Sequence, residues 1–153
     1  MPVDFTPAPK RFRVWDGERM HGITAYEYLL HQDGGLLRDN PNAGLDHTEP
    51  DYNEAPDSIV LQSTGLTDAD GREVFEGDVV ELAEHVGTVS LGGYISPRTG
   101  PGPTTYPYGW HVSYMYAHPA NPSEPHLQQA CLLAVRDQLR VIGNVYENPD
   151  LLD

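Results

Sequence analysis

Apolar and polar positions alternate in short bursts along this chain, and no long stretch keeps a helical period. Phe12 and Val14 fall on one side and Arg13 and Trp15 on the other, the pattern of a strand. Asp16-Gly17 closes it with a hairpin turn, and Met20 lies on the returning segment. From Ile23 to His31 the pattern fits two elements. Thr24 with Glu27 three residues on has capping-box spacing for a short helix, and a strand competes. Residues 34–57 are acidic and rich in Gly, Pro and Asn, and read as irregular, with Tyr52 available to pack onto the body.

Apolar residues resume at Ile59. Thr64-Gly65 reads as a turn and Asp70-Gly71 as a hairpin turn. Val79, Val80 and Leu82 form a strand. A tight turn over residues 84–87 leads to the next, with Val86, Val89 and Leu91, which Gly92-Gly93 interrupts. Residues 96–107 are a Pro/Gly loop between strands. Trp110, Val112, Tyr114 and Tyr116 then share one face of a strand, with His111, Ser113 and Met115 on the other. Residues 117–125 read as turns. Residues 127–133 fit a short helix or strand, with Leu127, Cys131 and Ala134 on one helical stripe. Leu139, Val141 and Val145 mark a last strand broken at Gly143, and Leu151-Leu152 a short tail. Strands this short and closely spaced predict a mainly β fold: a small, strongly curved sheet or barrel-like body with one or two short helices. The expected organisation is a single domain over residues 1–153, with loop insertions at 34–57 and 96–107.

Composition sharpens the picture. The 153 residues can bury one core, and 14 Pro with 15 Gly argue for many turns. No apolar run reaches the length of a membrane span, and the first 16 residues lack the apolar segment of a secretory signal. The one cysteine, Cys131, builds no intrachain disulfide and fits a reducing compartment. The formal net charge of −14 opposes direct nucleic-acid binding and favours a protein partner with a basic surface.

Four sets of residues could carry chemistry. The first is the acidic run Asp68, Asp70, Glu73, Glu76 and Asp78. A calcium loop starting at Asp68 would put Arg72 at the fifth position and Glu73 where glycine belongs, so ligation fails. The simpler reading has Asp70-Gly71 making the turn, Asp68 accepting backbone N–H bonds, and Glu73, Glu76 and Asp78 facing water. The second set, seven histidines, shows no zinc spacing. The third, Cys131 and the serines, lacks a nucleophile motif, and a free Cys in an apolar stretch reads as inert packing. No cofactor is expected. The fourth is the aromatic series Tyr106, Tyr108, Trp110, Tyr114 and Tyr116, suited to a sheet core or to an interface. The expected binding residues are therefore Asp68, Asp70, Glu73, Glu76, Tyr106, Tyr108, Trp110 and Tyr114.

Three segments resemble the YopX protein family, found mainly in bacteriophages and prophages: residues 11–16 (RFRVWD) with Met20, residues 61–80 (LQSTGLTDADGREVFEGDVV) and residues 141–152 (VIGNVYENPDLL). The resemblance implies a small, mainly β, barrel-like fold and the cytoplasm of an infected or lysogenic bacterial host. It brings no established catalytic residues. Residues 34–57 and 96–125 depart from it, being richer in Pro and Gly. Among the matching residues, Asp16, Glu76, Asp78, Glu147, Asn144 and Asn148 have turn-capping roles to fill. The resulting expectation is a non-enzymatic phage accessory protein that binds a protein, with inhibition of host defence and nucleic-acid mimicry as its sharper forms. A hydrolase assembled from separate loops and a homo-oligomer built on open strand edges are the alternatives.

Overall fold

The computed structural model describes residues 11–22, 28–30, 36–39, 52–55, 57–96 and 102–153. The fold is mainly β, with one four-residue α-helix and two 3-10 helices among these residues. It divides into two compact units, residues 11–62 and the unit that holds residues 63–153.

In residues 11–62, β1 (Phe12–Trp15) pairs antiparallel with β2 (Met20–Gly22), Trp15 facing Met20. It also pairs with the first part of β6 (Ile59–Thr67). Val14 is fully buried there against Ala55 and Val60. A second antiparallel sheet joins β3 (Tyr28–Leu30), β4 (Leu36–Asp39) and β5 (Tyr52–Glu54). The irregular reading of residues 34–57 is thus corrected at β4 and β5. Short strands with weak alternation become legible only once partners satisfy their backbone groups. At residues 23–31 the strand reading holds for Tyr28–Leu30. The helix start at Thr24 and Glu27 and the Tyr52 side chain lie outside the described residues.

In residues 63–153 the second part of β6 pairs with β7 (Glu73–Phe75). A five-stranded antiparallel sheet runs β11-β10-β9-β8-β12, made of β8 (Asp78–Leu82), β9 (His85–Gly93), β10 (Tyr108–His118), β11 (Asn121–Cys131) and β12 (Leu139–Asn144). Helix α1 (Leu132–Val135) follows β11. Its Leu132 joins Val74, Val80, Leu82, Val89, Val112, Leu139 and Val141 in one buried cluster, with Leu66, Trp110, Tyr114 and Val135 packed on it. The pleat of β8, β9, β10 and β12 places Val80, Leu82, Val89, Val112, Leu139 and Val141 on a common face. Each buried Val or Leu contributes roughly 1.5–3 kcal/mol of apolar transfer free energy.

Several turns sit elsewhere than the residue types suggest. Gly65, with φ of 74°, is an irregularity inside β6, where register slips between Ser63 and Thr67. The β8–β9 turn uses Ala83 and Glu84, because Leu82 faces His85, and Ala83 takes a left-handed φ of 55°. Gly92 and Gly93 continue β9 and pair with Gly109 and Tyr108. Residues 121–125 belong to β11 despite Pro122 and Pro125. Prolines are tolerated there because β11 is an edge strand among the described residues, and its pairing with β10 slips beside them. Leu127 and Cys131 sit on that strand, not on a helix with Ala134, and Leu127 is 60% exposed.

Gly87 lies where β9 meets β10. A Cβ there would stand 2.7 Å from the Ser113 carbonyl oxygen and 2.8 Å from Val112 Cγ1, whereas one on Gly93 would meet nothing within 4 Å. Gly87→Ala is expected to destabilise the protein by about 1–3 kcal/mol in urea unfolding, and Gly93→Ala by less than about 0.5 kcal/mol. Equal effects of the two substitutions would contradict this packing.

Candidate functional site

The acidic segment after β6 is organised by Asp68, which is only 6% exposed. Its Oδ1 accepts the amides of Asp70 and Arg72, both at 2.9 Å, which fixes the turn through Gly71, whose φ is 82°. Its Oδ2 reaches out of the turn and accepts the Val141 amide of β12 at 2.9 Å. The Ala69 amide donates to the Leu139 carbonyl, and Arg72 Nη1 to the Val141 carbonyl at 3.4 Å. Asp70 faces Arg140 at 3.3 Å on the surface. The loop therefore lies along the outer edge of β12. Burial pushes the Asp68 carboxyl up, but the amides of Val141, Arg72 and Asp70 outweigh it and hold the group below the usual carboxylate range.

The other acids of the run are also engaged. Asp78 is 1% exposed and accepts the Phe75 amide at 2.8 Å, so the expectation that it faces water is corrected. Tight turns bury carboxylates when backbone amides converge on them. Glu73 and Glu76 are half-buried, and Glu73 accepts the Ser63 hydroxyl at 2.9 Å. Elsewhere, Asp16 accepts the Arg19 and Glu18 amides and contacts His21 Nε2 at 2.6 Å. Those two amides, then His21, hold its carboxyl well below the usual range. Asn144, Glu147 and Asn148 tie the final turn together: the Asn144 Oδ1 accepts the Tyr146 and Glu147 amides, and its own amide donates to Asn148.

The aromatic series splits. Trp110 and Tyr114 pack on the core, and Tyr114 stacks on His85 with ring centroids 5.3 Å apart. Tyr116 has His85, His118 and His126 against its ring at 5.4, 6.3 and 5.5 Å. Tyr106 and Tyr108, at the head of β10, are 74% and 77% exposed. The eight expected binding residues thus fall into two sets: Asp68, Asp70, Glu73 and Glu76 on and beside the loop along β12, and the aromatic residues along β10. Only Tyr106 and Tyr108 of the aromatic set present most of their surface to solvent.

On the opposite face of β10, His111 is buried, stacks on Tyr94 at 5.0 Å and bonds the Gly109 carbonyl through Nδ1. Cys131 lies directly across from it on β11. The Tyr94 hydroxyl donates to the Cys131 sulfur, which pushes the Tyr94 hydroxyl up and the thiol down. Burial opposes the thiol's shift, and the Ala134 and Leu133 amides assist it. Cys131 is a half-buried free cysteine. Among the described residues, no three His, Cys, Asp or Glu side chains gather as a metal-binding group. No helix among them is long and apolar enough to cross a membrane.

One signal went unused in reading the residues one by one. Residues 85–123 contain no Asp or Glu, and the fixed charges of residues 85–135, Arg98 and Glu124, cancel. The whole formal charge of −14 therefore lies outside the part of the chain that builds β9, β10, β11 and α1. Ile95, Met115 and Leu127, at 54%, 55% and 60% exposure, belong to this uncharged part.

The family model described as YopX protein matches residues 11–153, and the chain belongs to that family. Among solved structures it is similar to protein EF1440 from Enterococcus faecalis, at 23% identity over 96% of this chain and 100% of that one, with a TM-score of 0.46. It is also similar to protein yopX from Bacillus subtilis, at 16% identity over 94% of this chain and 98% of that one, again with a TM-score of 0.46. No curated protein sequence matches it.

Because Asp68 has a lower pKa folded than unfolded, its stabilising effect is complete above the unfolded-state value and is lost as pH falls through the folded-state value. Asp68→Asn should lower stability at neutral pH and flatten the acid limb of the stability–pH curve. Asp68→Ala, which strands the amides of Val141, Arg72 and Asp70, should cost roughly 3 kcal/mol in urea unfolding. An acid limb unchanged by Asp68→Asn would show that this carboxylate does not clamp the edge.

Proposed function

We propose that this YopX-family chain is a non-enzymatic protein-binding module that makes contact through the uncharged, tyrosine-bearing part of its five-stranded sheet. The observation that carries the reading is the exposure of Tyr106 and Tyr108, 74% and 77%, at the head of β10. Two large amphipathic rings standing in water next to a carboxylate-free stretch have much to gain from desolvation by a partner. The net charge of −14 elsewhere steers a partner with a basic surface and accelerates encounter without making the central contact. In the phage setting that the family resemblance suggests, such a module acts on a host or phage protein, and interference with host defence is the form its acidity favours.

Imitation of a nucleic-acid backbone has less support than contact through tyrosine. A phosphate-like ladder needs carboxylates held out to solvent. Asp68 and Asp78 accept backbone amides inside the fold, and Asp70 faces Arg140. Glu73 and Glu76 are half-buried.

The test is capture from bacterial lysate on the immobilised protein, comparing wild type with the Tyr106→Ser/Tyr108→Ser double variant. Running it at about 0.1 M and about 1 M salt shortens the Debye length from about 10 Å to about 3 Å. The expected result is a retained partner whose yield falls at least about tenfold in the double variant, with an unchanged melting temperature, while salt slows association. A partner retained equally by the double variant would remove the tyrosines from the interface. A yield and an association rate that both ignore salt would remove the steering role of the acidic surface.

A further inference from the structure

The two edges of the five-stranded sheet are treated differently. Along β12 the Asp68 loop occupies the outer backbone groups: Asp68 takes the Val141 amide, Ala69 donates to the Leu139 carbonyl and Arg72 to the Val141 carbonyl. Along β11, among the described residues, no strand pairs with the outer side. Proteins usually blunt such an edge with charge, proline or a covering segment. Pro122 and Pro125 do so for the first half of β11. From His126 to Cys131 the strand reads HLQQAC, with no fixed charge and no proline.

The sheet face beside this open half carries one apolar row, next to the polar row of Thr88, Ser113 and Gln129. Met115 and Leu127 are directly opposed across β10 and β11, at 55% and 60% exposure. Val86, one residue beyond the Tyr114–Gly87 pair on β9, is 39% exposed. A cross-strand row of three apolar side chains therefore runs out to the edge.

We propose that residues 126–131 of β11 pair antiparallel with the same residues of a second copy of this chain, extending two five-stranded sheets into one. Charge selects this occupant. Two copies carrying −14 each repel over most approaches, and the stretch free of net fixed charge, residues 85–135, contains this edge. A basic partner finds no fixed carboxylate along residues 126–131 to hold it at this edge. Symmetry completes the case. A two-fold axis normal to the sheet at Gln128 keeps each face on its own side and sets Leu127 of each copy diagonally across from its counterpart, so the two Val86–Met115–Leu127 rows share one face. Both strands then satisfy their outward amides and carbonyls. This inference rests on the β11 edge and not on the exposed tyrosines, so it stands or falls separately from the binding function.

Sedimentation equilibrium across a range of protein concentrations tests it, beginning with the wild-type chain of 16.9 kDa. The expected result is a reversible dimer of twice that mass, tighter at about 1 M than at about 0.1 M salt, because screening relieves repulsion between acidic copies. Leu127→Lys with Gln128→Lys should weaken it at least about a hundredfold while circular dichroism stays native, since edge charges oppose pairing. Ile59→Lys, an exposed apolar position on β6, should leave it intact. Hydrogen exchange on the wild type gives a readout that needs no variant: the amides of residues 126–131 should gain protection as concentration rises. A monomer at every concentration would overturn the proposal. So would a dimer indifferent to the edge lysines, or one whose protected amides lie outside β11.

Discussion

The second unit depends on one carboxylate that bonds in two directions. Asp68 closes its own turn with one oxygen and holds the edge strand β12 with the other, across a sequence separation of 73 residues. Buried polar groups are tolerated when they are fully partnered, and here three backbone donors converge on one side chain. The arrangement gives β12 what a sixth strand would otherwise provide. It also gives the acids crowded into this short segment structural roles: Asp68 and Asp78 each complete a turn, and Asp70 adds a weak surface pair with Arg140.

Local patterns were the legible part of this fold. The strand at Val79, Val80 and Leu82, the alternation of Trp110 to Tyr116 and the Asp70-Gly71 turn follow from neighbours a few residues apart, and the structure places them as read, whereas β9 starts earlier and runs through Gly92 and Gly93. The family match over residues 11–153 agrees with the three segments that suggested it. What the sequence withheld was decided at long range. β4 and β5 exist because each satisfies the other's backbone, which no single window shows. Residues 121–125 looked like a turn because proline usually breaks a strand, and only their place on an edge makes them compatible with one. The same blindness affected Asp78. Composition says that an acid in a polar run is wet, whereas the Phe75 amide brings it inside.

The candidate site was half legible. Aromatic residues in a strand announce either a core or an interface, and the chain divides them: Trp110 and Tyr114 go to the core, Tyr106 and Tyr108 to the surface. Burial depends on which face the opposite layer covers, so spacing could not make that division. The distribution of charge, by contrast, needed no structure. A count of carboxylates along the chain already marks residues 85–123 as neutral. Its meaning emerged only with the sheet order, which gathers those residues into three adjacent strands ending at an edge that no strand among the described residues pairs.

The long span between Asp68 and Val141 also bears on how the chain comes off the ribosome. Synthesis runs from the N-terminus, so the first 84 residues emerge with most of the carboxylates, ahead of the neutral strands that follow them. The growing polypeptide is thus already strongly anionic when its stickiest portion appears. The clamp itself must wait, because its amide partner arrives 73 residues after Asp68. Until then β8 is itself an outer strand, and a nascent chain stalled short of residue 139 would present a bare ladder to its neighbours in a polysome.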